Sequence, residues 1–451
     1  MRITFLGGTE TVTGSKFLLE TKNTRVLVDC GLFQGYKWLR ERNWQGLPTD
    51  IKKLDAVVLT HAHLDHSGYL PVLFKHGFKG PVFTHYATRA LCEILLPDSG
   101  HIQEEDAKYY SKHKLGKHAH PQPLYDQKTA EHSLALFEPV NFNEIVGVGD
   151  VQFHLQPAGH ILGAASVIVE AEGSRIGFSG DVGRPDDILM LPPKPLPELD
   201  VLLLESTYGN RRHDQIDPVQ QLKEIVNEVA RKGGVLLIPA FAVGRAQVLQ
   251  HLLASLMDSG DIPQIPIYLD SPMAISVSEI FCHFSAQHRL DGRQCHRMCE
   301  NITYTRTADE SKALAGQAFP HVIIAGSGMA TGGRILHHFK RLLGKTKTTV
   351  LFTGYQAGGT RGAKMLGGMD TVKIHGKWIP VRANIEMIHG LSGHADYLEI
   401  NQWLKASDLK PSTHIKLIHG EPDALEGQRT YLQEHTAFNV EVAGYRTILR
   451  V

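Results

Sequence analysis

Val57-Val58-Leu59-Thr60-His61-Ala62-His63-Leu64-Asp65-His66 is an apolar run that passes directly into four candidate metal ligands within six residues. Val57, Val58 and Leu59 read as a buried strand, and Ser67-Gly68 then opens a segment with helical apolar spacing at Tyr69, Leu70, Leu73 and Phe74. The ligands are therefore expected on a strand-to-helix loop. His61 and His63, two apart, share one side of an extended turn, while Asp65 and His66 are carried round to face a second point. That arrangement predicts two adjacent cations. Imidazole nitrogen with carboxylate oxygen suits zinc, with manganese or iron as lesser candidates. An isolated His on a loop is usually a surface residue, but His-x-His-x-Asp-His behind a buried strand is a ligand pattern.

Working outward, residues 2 to 6, 16 to 20 and 25 to 29 read as short strands. Asp29 closes the third just before Cys30-Gly31, either as a turn former or as a carboxylate behind a ligand. Helices are expected at 87 to 97 and 101 to 115, and a loop at 113 to 128 carrying His113, His118, His120, Pro121 and Pro123. Strands return at 151 to 156, 165 to 170 and 174 to 179. His160 follows the turn Gln156-Pro157-Ala158-Gly159, and Asp181 follows Phe178-Ser179-Gly180. A carboxylate held by a glycine turn at the end of a buried strand is well placed to bridge two cations, and His160 supplies a third imidazole. Glu205 ends the apolar run Val201-Leu202-Leu203-Leu204, where alone it could be a capping or turn residue.

From about 214 to 380 the pattern changes to helices (218 to 231, 243 to 257, 332 to 343) alternating with short apolar strands (235 to 238, 266 to 269, 321 to 325, 349 to 353). This is an expected α/β insertion. Two glycine-rich turns in it follow strands, one from Ala325 to Arg334 and one from Gly354 to Gly362. The first opens a helix with Ile335, Leu336, Phe339, Leu342 and Leu343 on one side. Free amides at a helix start with glycines beside them form a phosphate cradle; the plainer alternative is a tight strand-to-helix turn. Beyond it, strand character at 385 to 389 leads into Leu391-Ser392-Gly393-His394-Ala395-Asp396 and a helix near 397 to 405. The run Ile415 to Ile418 then ends in His419. His394 is a candidate proton donor or phosphate contact and His419 a candidate last ligand.

Lys plus Arg equals Asp plus Glu at 47 each, which removes any general basic signature of nucleic-acid binding and leaves only local patches. No apolar run approaches the eighteen or so residues of a membrane span, and the start Met1-Arg2-Ile3-Thr4-Phe5-Leu6-Gly7-Gly8 reads as strand and turn rather than a secretory signal. A cytoplasmic protein with no membrane partner is expected. Five cysteines without Cys-x-x-Cys spacing predict reduced thiols.

Taken together, Asp29, the His61–His66 segment, His160 and Asp181 resemble the first four motifs of the metallo-β-lactamase superfamily, and Glu205, His394 and His419 resemble the three that mark its β-CASP group of RNA-processing nucleases. The resemblance covers essentially the whole chain. It is similar to bacterial stand-alone relatives of the nuclease subunit of the eukaryotic cleavage and polyadenylation factor. It implies an αββα sandwich formed by residues 1–207 and 383–451, an inserted α/β β-CASP domain at 208–382, and an active site in the cleft between them. It implies two zinc ions per chain and no small-molecule cofactor. One ion is held by His61, His63, His160 and Asp181; the other by Asp65, His66, Asp181 and His419. A bridging hydroxide would attack a phosphodiester of single-stranded RNA. His394 is the implied proton donor to the leaving oxygen, Glu205 its orienting partner, and Asp29 orients the metal water or a ligand. Ser327, Gly328, Thr331, Gly332, Arg334, Arg361 and Ser392 are the implied phosphate contacts. Ala363 stands where members often place Arg after Thr-x-Gly, with Arg361 and Lys364 close enough to substitute. No KH-type RNA domain follows the last motif, so selectivity is expected from the insertion or a partner.

A small-molecule lactam or thioester hydrolase would use the same metal core, but a small acyl substrate needs no large α/β insertion. A non-catalytic RNA-processing scaffold would have lost ligands, and here every ligand position is filled. Endonucleolytic against 5′-exonucleolytic cleavage, RNA against DNA, the natural RNA, the metal used in the cell and the oligomeric state, a homodimer among the options, stay open.

Overall fold

The computed structural model describes residues 1–112, 121–213 and 216–451. The expected loop histidines His113, His118 and His120 lie outside the described residues. The chain divides into two compact units, Met1–Arg212 with His394–Val451, and His213–Gly393.

The first unit is built on two seven-stranded sheets. One runs in the order Ile448–Arg450, Arg2–Gly7, Lys16–Glu20, Arg25–Val28, Ala56–Val58, Val82–His85, Phe137–Val140; the other in the order Asn439–Val442, His414–Ile418, Val201–Glu205, Ser174–Phe178, Ala165–Ala171, Val151–Pro157, Val146–Val148. Alternate residues turn inward on each. Phe5, Phe17, Val28 and Val58 from the first sheet meet Phe153, Val167, Phe178 and Leu203 from the second in one buried core, and the Phe17 and Phe178 rings lie 6.1 Å apart across it. Each such side chain contributes roughly 1.5–3 kcal/mol when taken fully from water.

Strand Val201–Glu205 explains why its sequence is apolar without alternation. Val201 and Leu203 enter the core between the sheets. Leu202 and Leu204 instead pack beneath Ile400, Trp403 and Leu404 of helix Tyr397–Ala406 and Leu425 and Leu432 of helix Pro422–His435. A strand covered on both faces must be apolar on both. This is the expected αββα sandwich.

The strands that deliver the candidate site run parallel. Ser174–Phe178, Val201–Glu205 and His414–Ile418 are paired in parallel, as are Arg25–Val28 and Ala56–Val58. Within each sheet their carboxyl ends leave at one edge, where ligand sites of α/β sheets form. Asp29, His61, Asp181, Glu205 and His419 are all at such ends.

Three local expectations are corrected. Asp65 and His66 sit on a short helix, Leu64–Ser67, ahead of a second, Leu70–Lys75, rather than on an open loop. The pair of helices expected at 87 to 97 and 101 to 115 is one continuous helix, Tyr86–Lys112, with Pro97 inside it. Packing overrides the proline: Ser99 and Gly100 just after it are buried, and a Cβ on Gly100 would lie 2.7 Å from the Asp126 backbone. The loop expected at 113 to 128 ends sooner, since residues 127 and 128 open helix Gln127–Ser133.

The second unit carries a six-stranded sheet in the order Thr303–Tyr304, Ile267–Asp270, His321–Ala325, Val235–Pro239, Thr348–Phe352, Asn384–Met387, every pairing parallel. Helices Pro218–Lys232, Arg245–Asp258 and Ile335–Leu342 lie near their expected places, and Pro272–His283 and Gly292–Glu300 were not anticipated. The unit extends past the expected return at 383 because Asn384–Met387 joins Thr348–Phe352 in this sheet and keeps the chain here until Gly393. Among the described residues no helix is long and apolar enough to cross a membrane.

Candidate metal centre

Seven side chains from four separate segments converge in the first unit. Ligand atoms of His61, His63, His160 and Asp181 all lie within 4.8 Å of one another, and so do those of Asp65, His66 and His419. Asp181 joins the two groups through different oxygens. Its Oδ2 faces His61 Nε2 at 3.4 Å and His160 Nε2 at 3.6 Å; its Oδ1 faces His66 Nε2 at 3.3 Å and His419 Nδ1 at 3.4 Å. His63 Nδ1 lies 3.2 Å from His160 Nε2, and His419 Nε2 lies 3.5 Å from Asp65 Oδ2.

These residues fit divalent cations. Among the described residues His61 Nε2 and Asp181 Oδ1 are buried without a hydrogen-bond partner, an arrangement that costs about 1–3 kcal/mol per atom unless another partner takes the lone pair. Burial, with neighbouring imidazoles adding to it, holds His61 and His160 below the usual histidine range and His63 down at about 3. These imidazoles are neutral at pH 7, the form that binds a metal. Burial pushes Asp65 and Asp181 upward, but the surrounding imidazoles outweigh it and hold both carboxylates ionised. His66 is the exception, raised because Asp181 and Asp29 outweigh its burial; a cation at its Nε2 would stand in for that proton.

Behind the ligands lies a second layer of contacts. Asp29 accepts at Oδ2 from His66 Nδ1 at 2.7 Å and from Thr60 Oγ1 at 2.9 Å, and at Oδ1 from the Thr60 amide at 2.8 Å. Thr60 Oγ1 also lies 3.0 Å from His61 Nδ1. The Asp29 carboxylate is therefore engaged by the candidate ligand His66 and by Thr60, a geometry suited to orienting a ligand rather than a water. Thr207 Oγ1 does the same for His419, 3.1 Å from its Nδ1. Thr60 and Thr207 were missed from sequence; the available signal was their position directly beside His61 and Glu205-Ser206. The backbone is shaped to match. Asp29 and His419 hold positive φ, 59° and 49°, a left-handed conformation that non-glycine residues adopt mainly where surrounding structure fixes it. Gly31 lets the Asp65 segment approach: a Cβ there would fall 1.5 Å from the Asp65 carbonyl oxygen.

His394 stands next to this cluster. Its ring lies 4.4 Å from that of His160, its Nε2 is 4.0 Å from Asp181 Oδ2, and its Nδ1 is 3.0 Å from Glu205 Oε1. Glu205 is buried and fixed, accepting from the Val182 amide at 2.8 Å and the Thr207 amide at 3.1 Å. Burial pulls the His394 imidazole down. The Glu205 charge and hydrogen bond, helped by Asp181 and Asp65, push it further up, to about 9.

Over 94% of its length this chain is 37% identical to the ribonuclease TTHA0252 of Thermus thermophilus, covering 94% of that protein as well. The chain belongs to the β-CASP group of the metallo-β-lactamase superfamily. Models of the metallo-beta-lactamase superfamily, the Beta-Casp domain and the Zn-dependent metallo-hydrolase RNA specificity domain match residues 12–223, 246–365 and 378–443. The transcription termination factor FttA of Methanocaldococcus jannaschii is 31% identical over 93% of this chain and 67% of that protein. A crystal structure of a protein of unknown function from Enterococcus faecalis covers 99% of both chains with a TM-score of 0.53 at 12% identity, a likeness of fold. As a β-CASP protein this chain binds divalent metal, and its two histidine–aspartate groups are the candidate sites.

The expected phosphate contacts of this β-CASP chain lie in the second unit, where the two glycine-rich turns meet. Ser327 Oγ accepts from the Thr331 and Gly332 amides at 3.1 and 3.3 Å. Gln356 Nε2 donates to the Gly328 carbonyl at 3.1 Å. Arg361 donates to the Ala330, Thr331 and Lys373 carbonyls. The loop is thus closed by its own Ser327 hydroxyl, and helix Ile335–Leu342 begins after it. Arg334 is corrected: its guanidinium is turned onto buried Asp270 at 2.7 Å and onto the Thr305 and Arg306 carbonyls at 3.0 and 2.7 Å. Asp270 also binds His338, Thr305 and Ser311. A buried carboxylate without a cation is costly, which is why the fork is held there rather than offered outward. Ser392 is buried in the turn whose amide bonds back to His389.

Proposed function

We propose that this protein is a zinc-dependent ribonuclease that hydrolyses phosphodiester bonds of single-stranded RNA in RNA processing or decay. The observation that carries the reading is the pairing of a seven-residue ligand cluster with an imidazole that Glu205 keeps protonated beside it, against the pull of its burial. The RNA assignment is supported by the ribonuclease of Thermus thermophilus and by the RNA specificity domain match.

His61, His63, His160 and Asp181 would hold one zinc, and Asp65, His66, His419 and Asp181 the other. When bound, such a pair of cations supplies Lewis-acid stabilisation of phosphoryl oxygens and a water activated for attack near neutral pH. Asp29 fixes the His66 ring and, through Thr60, the His61 ring, so the ligands are oriented before substrate arrives. Glu205 holds His394 Nδ1, which leaves Nε2 as the atom that donates a proton to the departing 3′-oxygen. The imidazole is returned to its protonated form from solvent. Ser327, Gly328, Thr331 and Gly332, with Arg361 and Ser392, would contact phosphates of the strand; Arg334 would act by bracing the loop through Asp270.

The test is cleavage of a 5′-labelled single-stranded RNA beside the matching DNA, a chromogenic lactam and a thioester, with bound metal measured. Metal-dependent RNA cleavage is expected, with products that also tell internal from 5′-terminal cuts. His394→Ala should retain wild-type metal content and lose about 10²–10⁴-fold in rate. Hydrolysis of the lactam or thioester without RNA cleavage would replace this reading with a small-molecule hydrolase.

A further inference from the structure

Residues 31–46 follow Asp29 and Cys30 and build a surface separate from the seven candidate ligands. Tyr36, Trp38 and Trp44 are 43%, 52% and 61% exposed, a concentration of large aromatic surface in nine residues that water disfavours. The Tyr36 and Trp38 rings stack with centroids 6.5 Å apart and 15° between planes. Helix Lys37–Arg42 places the Arg42 guanidinium 4.8 Å from the Trp38 ring, 3.9 Å from Tyr445 and 5.5 Å from Phe33. Arg446 lies 5.2 Å from the Tyr445 ring, and buried Lys16 lies 4.4 Å from the Phe33 ring. Rings and cations thus alternate, each cation attracted by a ring quadrupole.

The base of this surface is rigid and tied to the ligands. The Asn43 side chain bonds both the amide and the carbonyl of Phe33, at 2.9 and 2.8 Å, and the Tyr69 hydroxyl bonds the Asn43 carbonyl at 3.0 Å. One residue back, the Leu32 amide bonds the Leu64 carbonyl at 2.8 Å, and the Cys30 amide bonds the His66 carbonyl at 2.7 Å. Charge is locally positive in a chain that is neutral overall: Lys37, Arg40, Arg42 and Arg446 against Glu41, which Lys37 pairs at 3.6 Å.

We propose that Tyr36, Trp38 and Trp44, with Arg40, Arg42 and Arg446, form a base-stacking platform for single-stranded RNA, holding nucleotides away from the scissile bond. Flat exposed rings with guanidinium planes between them match unpaired bases, and the flanking cations match the phosphates that join them. Protein interfaces also favour Tyr, Trp and Arg, so what selects a polyanion here is the surplus of cations around the rings, Lys37, Arg40, Arg42 and Arg446 against Glu41. The proposal rests on the ribonuclease reading for its ligand, and its test separates the two.

Two substrates are compared in steady-state cleavage by the full chain, a trinucleotide that spans only the scissile bond and a long unstructured RNA, and oligouridylate is titrated against intrinsic tryptophan fluorescence in chelator. Trp38→Ala and Trp44→Ala should each raise KM for the long RNA about tenfold, the scale of one lost base stack, with kcat and trinucleotide cleavage unchanged. Trp38→Phe should restore most of the loss. Oligouridylate should quench wild type, and less so Trp38→Phe. A wild type that cleaves RNA while the double alanine variant keeps its KM and its binding would overturn the platform, as would an equal loss on both substrates. A wild type that cleaves no RNA would instead remove the ribonuclease reading, and quenching by oligouridylate would then decide the platform alone.

Discussion

Glu205→Gln isolates the group that sets the protonation of His394. The substitution keeps the shape and one acceptor oxygen, which in the Oε1 place still accepts from the Val182 amide while the Thr207 amide loses its Oε2 partner, and it removes the charge 3.0 Å from His394 Nδ1. Burial lowers the His394 pKa, and Glu205 is the largest of the groups that raise it from 6.5 to about 9. Asp181 and Asp65 also raise it, but both would be shared with bound cations, which leaves Glu205 as the dedicated partner. A rise from 6.5 to about 9 corresponds to about 3 kcal/mol between the two protonation states. A donor with a raised pKa works below that pKa and fails above it. Wild-type cleavage should therefore fall as pH rises through about 9. In Glu205→Gln the imidazole should return to its ordinary value or below, and the alkaline limb should move down to near 6.5. At pH 8 the protonated fraction would drop from about 0.9 to about 0.03, a loss of roughly thirtyfold. The assay is kcat against pH on a labelled RNA with metal content matched to wild type. An alkaline limb still near 9 in the Gln variant would refute the argument that Glu205 holds the proton on His394.

Three other substitutions probe the rest of the site. Asp181→Ala removes the carboxylate whose two oxygens face the two groups, so purified protein should lose bound metal as well as activity; full metal by elemental analysis would contradict the bridging role. Asp29→Asn weakens the 2.7 Å contact that fixes His66, and metal affinity should fall about 10–100-fold while far-ultraviolet circular dichroism stays unchanged; unchanged affinity in a chelator competition would deny Asp29 its positioning role. Arg334→Ala leaves Asp270 with His338, Thr305 and Ser311 only, and should destabilise the inserted unit by about 2–3 kcal/mol, less than the loss of a fully buried pair because three donors remain. Denaturant titration measures it, and a variant of wild-type stability but raised KM would return Arg334 to direct phosphate contact.

Local sequence carried most of the ligand chemistry. His61, His63, Asp65 and His66 lie in one segment, and the apolar strands before His160, Asp181, Glu205 and His419 each end in a turn, so the residue types and their places at strand ends were legible without coordinates. The α/β character of the insertion was legible from its short apolar strands alternating with helices, while the parallel pairing of those strands came only from the fold. What the sequence could not contain was register. Which oxygen of Asp181 faces His61 and which faces His66 depends on how parallel strands align and how the segments leave them.

The same limit explains the errors. Pro97 reads locally as a helix end, yet packing of Ser99 and Gly100 carries the helix through it. Asn384–Met387 reads as part of the closing segment, and only its partner strand assigns it to the insertion. Arg334 at a glycine-rich turn reads as a phosphate ligand until Asp270, 64 residues earlier, takes its guanidinium. Thr60 and Thr207 looked inert because their work is a hydrogen bond to a ring that only the fold brings near. Composition and spacing decide which groups are available. Long-range contacts decide which of them meet, because a hydrogen bond or a shared ligand needs placement to within tenths of an ångström that no local propensity specifies.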